Sequence, residues 1–475
     1  MIYVNRIKLY LKSIKLYPSD YLLAFGFLFF VPFAAFSWIF MVTSNPYDVP
    51  FMNIPMIIAC YLITACCWGT YLFLEYRSGR LKNNIFLWLF VFFFIMSIVS
   101  VAVQPTYSTS LVECKYVDKL NKNLYPGIKV GDIITIHHYL SSSHKLFFAM
   151  GSSLITTIFF IIFFVLPKRV EKMDFLVLIC VIVALFIFVL TINSYITEAK
   201  EYIPFIEAIG RGDDVYIKEH PIISFLVNRV PYGACIMMGL IFMILGYQLT
   251  HKKFFLFMVM YCYLNMIFTW NKTALVISTL TLIFYIVFLL VVSFKYHKKR
   301  NIILSIICGS LLASIITFIS VSIGTEGKFI YQIYNLSKTF TESKSLLTRT
   351  YIWGNIRTEL KGGWWIIGRG FGTHNALLYP MNLVNGDNVC PSHSTYYGIL
   401  GAGGIISLLG FAGMFVYYIH AFVVCFKVDK VKTIGLSFPV VAYFLYSFTE
   451  CINYLWLAFM FPTILYFNLI KKQQV

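Results

Sequence analysis

Four residues carry groups that could do chemistry at one boundary of this apolar chain: Arg229, Lys272, Arg349 and His393. A cation at a membrane boundary is costly unless it faces a polar cavity or a partner. Lys272 is the most informative of the three, because it stands in the turn TWNKTAL, where topology asks for no positive charge. Its plainer reading is a lysine snorkelling to the interface. Arg349 has Arg357 and Arg369 as near alternatives. Histidine titrates near neutral pH, so His393 suits proton transfer. It gains meaning from PSHSTYYGILGAGG, which sets it just before an apolar stretch, at headgroup level. Glu450, near the last outer turn, is a second candidate base or simply a helix-end carboxylate. No group of His, Cys, Asp and Glu on that side has metal-ligand spacing.

The elements that position these residues follow from composition. Apolar residues make up 59% of the 475 and charged residues 12%, against about 45–50% and about 25% in soluble domains. So little polar surface excludes a soluble, collagenous or disordered chain. Twelve stretches have the roughly 20 mostly apolar residues that a bilayer crossing needs. They run over 21–42, 51–75, 85–104, 145–166, 174–193, 230–249, 254–270, 274–294, 302–323, 396–424, 433–448 and 452–470. Alternate short connections hold 21 of the 38 Lys and Arg, including Arg77, Lys168, Lys252, Lys298 and Lys430. By the positive-inside rule that side is cytoplasmic, and so are both termini. The net charge of +18 then reads as a topology signal and contact with anionic lipid, which removes the case for a nucleic-acid partner.

The fold expected is an all-α integral membrane protein of about twelve transmembrane helices. The segments are a bundle over 1–323 with outer loops 105–144 and 194–229, a large outer loop over 324–395, and closing spans with a cytoplasmic tail over 396–475. Residues 1–20 read as an interfacial lead-in without a cleavage site. Within the large loop, Ser343–Leu360 has helical apolar spacing, and GGWWIIGRGFG is too glycine-rich to continue it. Gly368, Gly370 and Gly372 mimic a nucleotide loop, but no strand precedes them. Eight of the 11 Cys lie in or beside spans as small apolar packing groups, and whether Cys114 and Cys390 pair on the outer side stays open.

Together the stretches NRVPYGA, WNKTALVIS, TRTYIWGNIRTEL with IIGRGFG, and PSHSTYYGILGAGGIISLLG resemble the O-antigen ligase and O-antigen polymerase family of bacterial envelope glycosyltransferases. The resemblance runs from Arg229 to the end of the tenth span, close to two fifths of the chain. Arg349 with Trp353, and His393 with Tyr396, match by type and spacing. Lys272 stands where arginine is usual, and Ser394 where asparagine is usual; lysine keeps the charge but loses the bidentate fork.

The resemblance implies a class C glycosyltransferase architecture in the inner membrane with a periplasmic active site. The donor would be a polyprenyl diphosphate-linked oligosaccharide and the acceptor a glycan hydroxyl. In that reading His393 is the acceptor base and Arg229, Lys272 and Arg349 hold the diphosphate. Trp353 and Tyr396 line the sugar site, or belong to an interfacial aromatic belt. Diphosphate is already a good leaving group, so no metal or other cofactor is implied; membrane lipids and a chain-length regulator are implied partners. A polymerase extends another lipid-linked repeat, whereas a ligase transfers the glycan to the lipid A core; extensive outer loops favour the polymerase. A flippase for lipid-linked sugar is the competing class, but it would place ionisable residues at mid-membrane in matching halves, which this sequence does not.

Overall fold

The computed structural model describes residues 18–37, 54–79, 81, 85–102, 107–113, 133–139, 142–161, 165, 173–211, 213, 216–217, 220–224, 226, 229–295, 349, 353–354, 356–357, 360, 363–368 and 394–449. Apolar runs without water must satisfy their backbone internally, and they do so as helices. These are α1 (Pro18–Ser37), α2 (Ile54–Arg77), α3 (Ile85–Ala102), α4 (Ser142–Phe160), α5 (Met173–Thr197), α6 (Tyr202–Arg211), α7 (Arg229–Thr250), α8 (Lys253–Thr269), α9 (Lys272–Lys295), α10 (Trp364–Ile367), α11 (Thr395–Val428) and α12 (Lys430–Thr449). Ten of the predicted stretches overlap described helices; those over 302–323 and 452–470 lie outside the described residues. Six helices are long and apolar enough to cross a membrane by length and composition, which makes this a multi-pass membrane protein.

Two of the loops expected on the outer side hold elements that the hydropathy pattern does not announce. In 105–144, β1 (Tyr107–Glu113) and β2 (Ile133–Tyr139) pair antiparallel, Tyr107 opposite Tyr139 and Glu113 opposite Ile133. In 194–229, α6 buries Phe205, Ala208 and Ile209 while Ile203 and Ile206 stay exposed.

α7 is the axis of the bundle. It touches α5, α8, α9 and α12, and 94% of its most apolar stretch is buried, against 25–56% for the other five long helices. Lipid is as apolar as leucine, so helices in a membrane associate through close packing and hydrogen bonds. α7 allows close packing through small residues: a Cβ at Gly239 would lie 2.6 Å from Ile187 of α5, and one at Gly246 2.5 Å from Phe255 of α8. On the flank, α1 and α2 are joined by Trp68 Nε1 donating to the Leu23 carbonyl at 3.3 Å and Thr64 Oγ1 to that of Gly26 at 3.2 Å.

Two short turns fix the antiparallel order, with His251 between α7 and α8 and Trp270 between α8 and α9 both at positive φ. Lys252, Lys253, Lys427, Lys430 and Lys432 therefore gather at one end of the helices, and the starts of α7, α9 and α11 at the other. Cross-helix contacts agree at both ends. Gln248 of α7 donates to Tyr285 of α9 at 2.6 Å at the first, and Tyr195 of α5 to Asn265 of α8 at 2.6 Å at the second.

α11 is kinked at Gly404, whose φ of 63° and ψ of −161° are outside the helical region. Only a residue without a Cβ fits here, since a Cβ would lie 2.3 Å from the Ile366 carbonyl oxygen of α10. Gly404→Ala should therefore unseat α10, with an overpacking cost of about 1–3 kcal/mol. The expected result is a lower thermal midpoint in detergent and faster proteolysis within 354–368. Gly410→Ala on the same helix, where a Cβ meets nothing within 4 Å, should show neither.

Candidate functional site

The site is assembled from the Arg229 end of α7. Glu198, just past α5, accepts hydrogen bonds from the backbone N–H of Ile223 at 3.0 Å and of Ser224 at 3.0 and 3.1 Å, and from Ser194 Oγ at 2.6 Å. Ser224 stands at φ 57°, a left-handed conformation uncommon for serine. It is held there by Glu198 and by its own Oγ, which donates to the Leu190 carbonyl at 2.6 Å. This clamp fixes the chain five residues before Arg229. Ser194 also shares a 2.8 Å hydrogen bond with the Tyr202 hydroxyl, whose pKa is pushed up by burial. Tyr202 is thus a neutral strut at the start of α6.

Arg229 is the first residue of α7 and Lys272 the first of α9. Lys272 therefore begins a helix, and the turn seen in the sequence is Trp270–Asn271. Asn271 caps α9: its Oδ1 accepts the Ala274 N–H at 3.1 Å, and its carbonyl accepts that of Leu275 at 2.8 Å. Its Nδ2 donates to the Val230 carbonyl at 3.3 Å and to the Tyr446 hydroxyl of α12 at 3.2 Å. One buried amide thus ties together the starts of α7 and α9 and the end of α12. Gly233 makes room for it, because a Cβ there would lie 2.6 Å from the Asn271 Cβ.

The end of α12 carries the contact on to the third motif. Tyr396 donates to the Phe444 carbonyl at 3.1 Å, and its ring lies 5.9 Å from that of Phe448. Its hydroxyl thus joins α11 to α12. Trp353 stacks on Tyr397 at 5.0 Å with the planes 6° apart, and meets Phe448 edge-on at 6.2 Å. Below it Ile356, Leu360 and Leu400 form a small buried cluster against which Leu408 packs. Arg349, four residues before Trp353, has helical backbone and is half-buried, in keeping with the helical reading of Ser343–Leu360. Ser394 is buried and is the N-cap residue of α11.

The structure accordingly brings the helix starts bearing Arg229 and Lys272 next to each other, and joins them through Tyr446 and Phe448 to Trp353 and Tyr396. His393, Glu450, Cys114 and Cys390 lie outside the described residues. Sequence reasoning passed over Asn271, Gly233, Tyr397 and Tyr446. Asn271 had a signal, an Asn directly before an apolar helical run; Tyr446 had none. Among the described residues no group of three or more His, Cys, Asp or Glu could hold a metal ion.

If Asn271 serves chiefly as a bridge, Asn271→Asp should behave like Asn271→Ala, because Asp retains the cap but loses both Nδ2 donations. Both variants should lower the thermal midpoint, with interhelical bonds in membranes worth about 0.6 and at most about 1.7 kcal/mol each. A wild-type midpoint for Asn271→Asp would reduce the residue to a helix cap. No protein-family model matches the chain, and neither a curated protein nor a solved structure matches it.

Proposed function

We propose that the protein is a surface-polysaccharide polymerase of the O-antigen type, a metal-independent glycosyltransferase using a polyprenyl diphosphate-linked glycan. We read it as a twelve-span, class C-like enzyme of the inner membrane, with its active site on the periplasmic side. One observation carries the reading. Two cations, Arg229 and Lys272, begin two helices whose starts are bonded together. A helix start is itself a centre of positive potential with free backbone N–H groups, so the pair favours an anion with several oxygens, such as a diphosphate. Arg349 would be the third cation, on the segment that Trp353 fastens to α11 and α12.

In the proposed reaction the acceptor hydroxyl attacks the anomeric carbon of the donor. Its proton passes to the imidazole of His393, the new C–O bond forms, and the bond to the diphosphate breaks with its electron pair leaving on the diphosphate oxygen. The cations stabilise charge that grows along this path, the differential binding that lowers a barrier. Trp353 offers an aromatic surface for a sugar, and membrane lipid delivers the donor laterally. A transporter reading has less support. The buried carboxylates among the described residues, Asp20 and Glu75, lie in the first turn of α1 and near the end of α2, away from span centres.

In a strain lacking its own copy, His393→Ala should lower glycan extension by about 10²–10⁴-fold, the usual worth of a general base. Arg349→Ala should also abolish extension, and both proteins should remain in the membrane at wild-type level. Wild-type glycan patterns from both would remove the assignment. The deletion strain separates the acceptors: single repeats on the core indicate a lost polymerase, and lipid-linked long chains with a bare core a lost ligase.

A further inference from the structure

The segment bearing Arg349 lies along α11, and its contacts come in the same order on both. Trp353 stacks on Tyr397, Ile356 and Leu360 cluster with Leu400, and the Ile366–Ile367 backbone meets Gly404. The two therefore run side by side in the same direction. The described residues from Arg349 to Arg357 have helical backbone. Arg349, Trp353, Ile356 and Leu360 stand at positions i, i+4, i+7 and i+11, which is one face of a helix. Ile356 and Leu360 are buried and Arg349 is half-buried, so this is the face turned to α11.

Arg349 stands one turn before the stack, about 6 Å at 1.5 Å per residue. The same distance back from Tyr397 ends within one residue of Ser394, the buried N-cap residue of α11. Whatever fixes the stack thus fixes the level of Arg349. Aliphatic contacts such as those of Leu360 and Leu400 have little preferred register. Two rings 5.0 Å apart with planes 6° apart hold a narrower range of offsets. Phe448 of α12 meets Trp353 edge-on at 6.2 Å and confines it on another side. Adjacent tyrosines divide the work at the start of α11. Tyr396 turns to α12, donating to the Phe444 carbonyl at 3.1 Å, while Tyr397 turns to the Arg349 segment.

We infer that Tyr397 is a positioning residue, whose ring sets the register of the Arg349 segment on α11 and holds Arg349 level with Ser394. Its consequence for activity rests on the transferase reading; the register itself does not. The task needs the ring and not the hydroxyl, which separates Tyr397 from a residue that meets substrate through its polar tip.

The test compares Tyr397→Leu, which loses the stack, with Tyr397→Phe, which keeps it, in the full chain in nanodiscs. Amide exchange over 349–360 should speed up in Tyr397→Leu and stay at the wild-type rate in Tyr397→Phe. In glycan extension from the lipid diphosphate donor, kcat/KM should fall about 10–10²-fold in Tyr397→Leu, since a misplacement of about 1 Å can cost about 10²-fold. The loss should appear as a raised KM for the donor with the acceptor KM unchanged, a split that a smaller folded fraction would not produce. Tyr397→Phe should match the wild type in both. Unchanged exchange in Tyr397→Leu, a donor KM that does not move, or a Tyr397→Phe as impaired as Tyr397→Leu would overturn the assignment. If exchange responds as expected while the wild-type chain extends no glycan, the register stands and the transferase reading falls.

Discussion

The packing at the Arg229 end of the bundle depends on one buried side-chain amide. Asn271 joins three helices that are far apart in sequence, 41 residues from Val230 and 175 from Tyr446. Its polar atoms lie where few alternative partners exist, so each bond removes a freedom that lipid would not otherwise restrict. Gly233 is part of the same device, because any side chain there would push the amide away from α7. With this contact made, the starts of α7 and α9 cannot separate, and α12 is drawn against both. The aromatic cluster of Trp353, Tyr396, Tyr397 and Phe448 then forms on a surface already in place.

This explains why α7 is almost wholly buried while no more than 56% of the apolar stretch of any other long helix is buried. A helix apolar on all sides can lie anywhere in lipid, and hydrophobicity alone does not choose its partners. The choice comes from small residues and polar contacts: Gly239 and Gly246 admit α5 and α8, Gly233 admits the α9 cap, and Gln248 reaches Tyr285 near the other end. Contacts at the two ends set both the tilt and the rotation of α9 relative to α7, so the direction in which α9 begins is determined at a distance from Lys272 itself.

Spans were legible because length and hydropathy suffice for them: 230–249 became Arg229–Thr250, and 433–448 became Lys430–Thr449. Lys252 and Lys430 lie at the end opposite Arg229. Which helices meet was not legible, because an apolar stretch carries almost the same pattern on every face. NRVPYGA and WNKTALVIS could be recognised as separate motifs, yet their meeting through Asn271 and Gly233 is a matter of shape, invisible to spacing. Hydropathy likewise missed α6, whose ten residues are too few to stand out. It also missed the ribbon of β1 and β2, two seven-residue runs separated by a long connection.

The cations at helix starts remain to be accounted for, because they break a local rule. A positive side chain at a helix N-terminus opposes the macrodipole, at about 0.3–1 kcal/mol. Elsewhere the chain mostly respects this: Asp20 is in the first turn of α1, and Arg77, Arg211 and Lys427 are in the last turns of α2, α6 and α11. Lys253 and Lys430 also begin helices, but at the end where the basic loops gather, and anionic lipid and the topology signal explain them. Arg229 and Lys272 have no such reason, and Asn271 ties their two helix starts together. Local rules are broken most often where function requires it. A helix start and a cationic residue both favour an anion, so an anion bound there would offset the cost of placing these cations at helix N-termini.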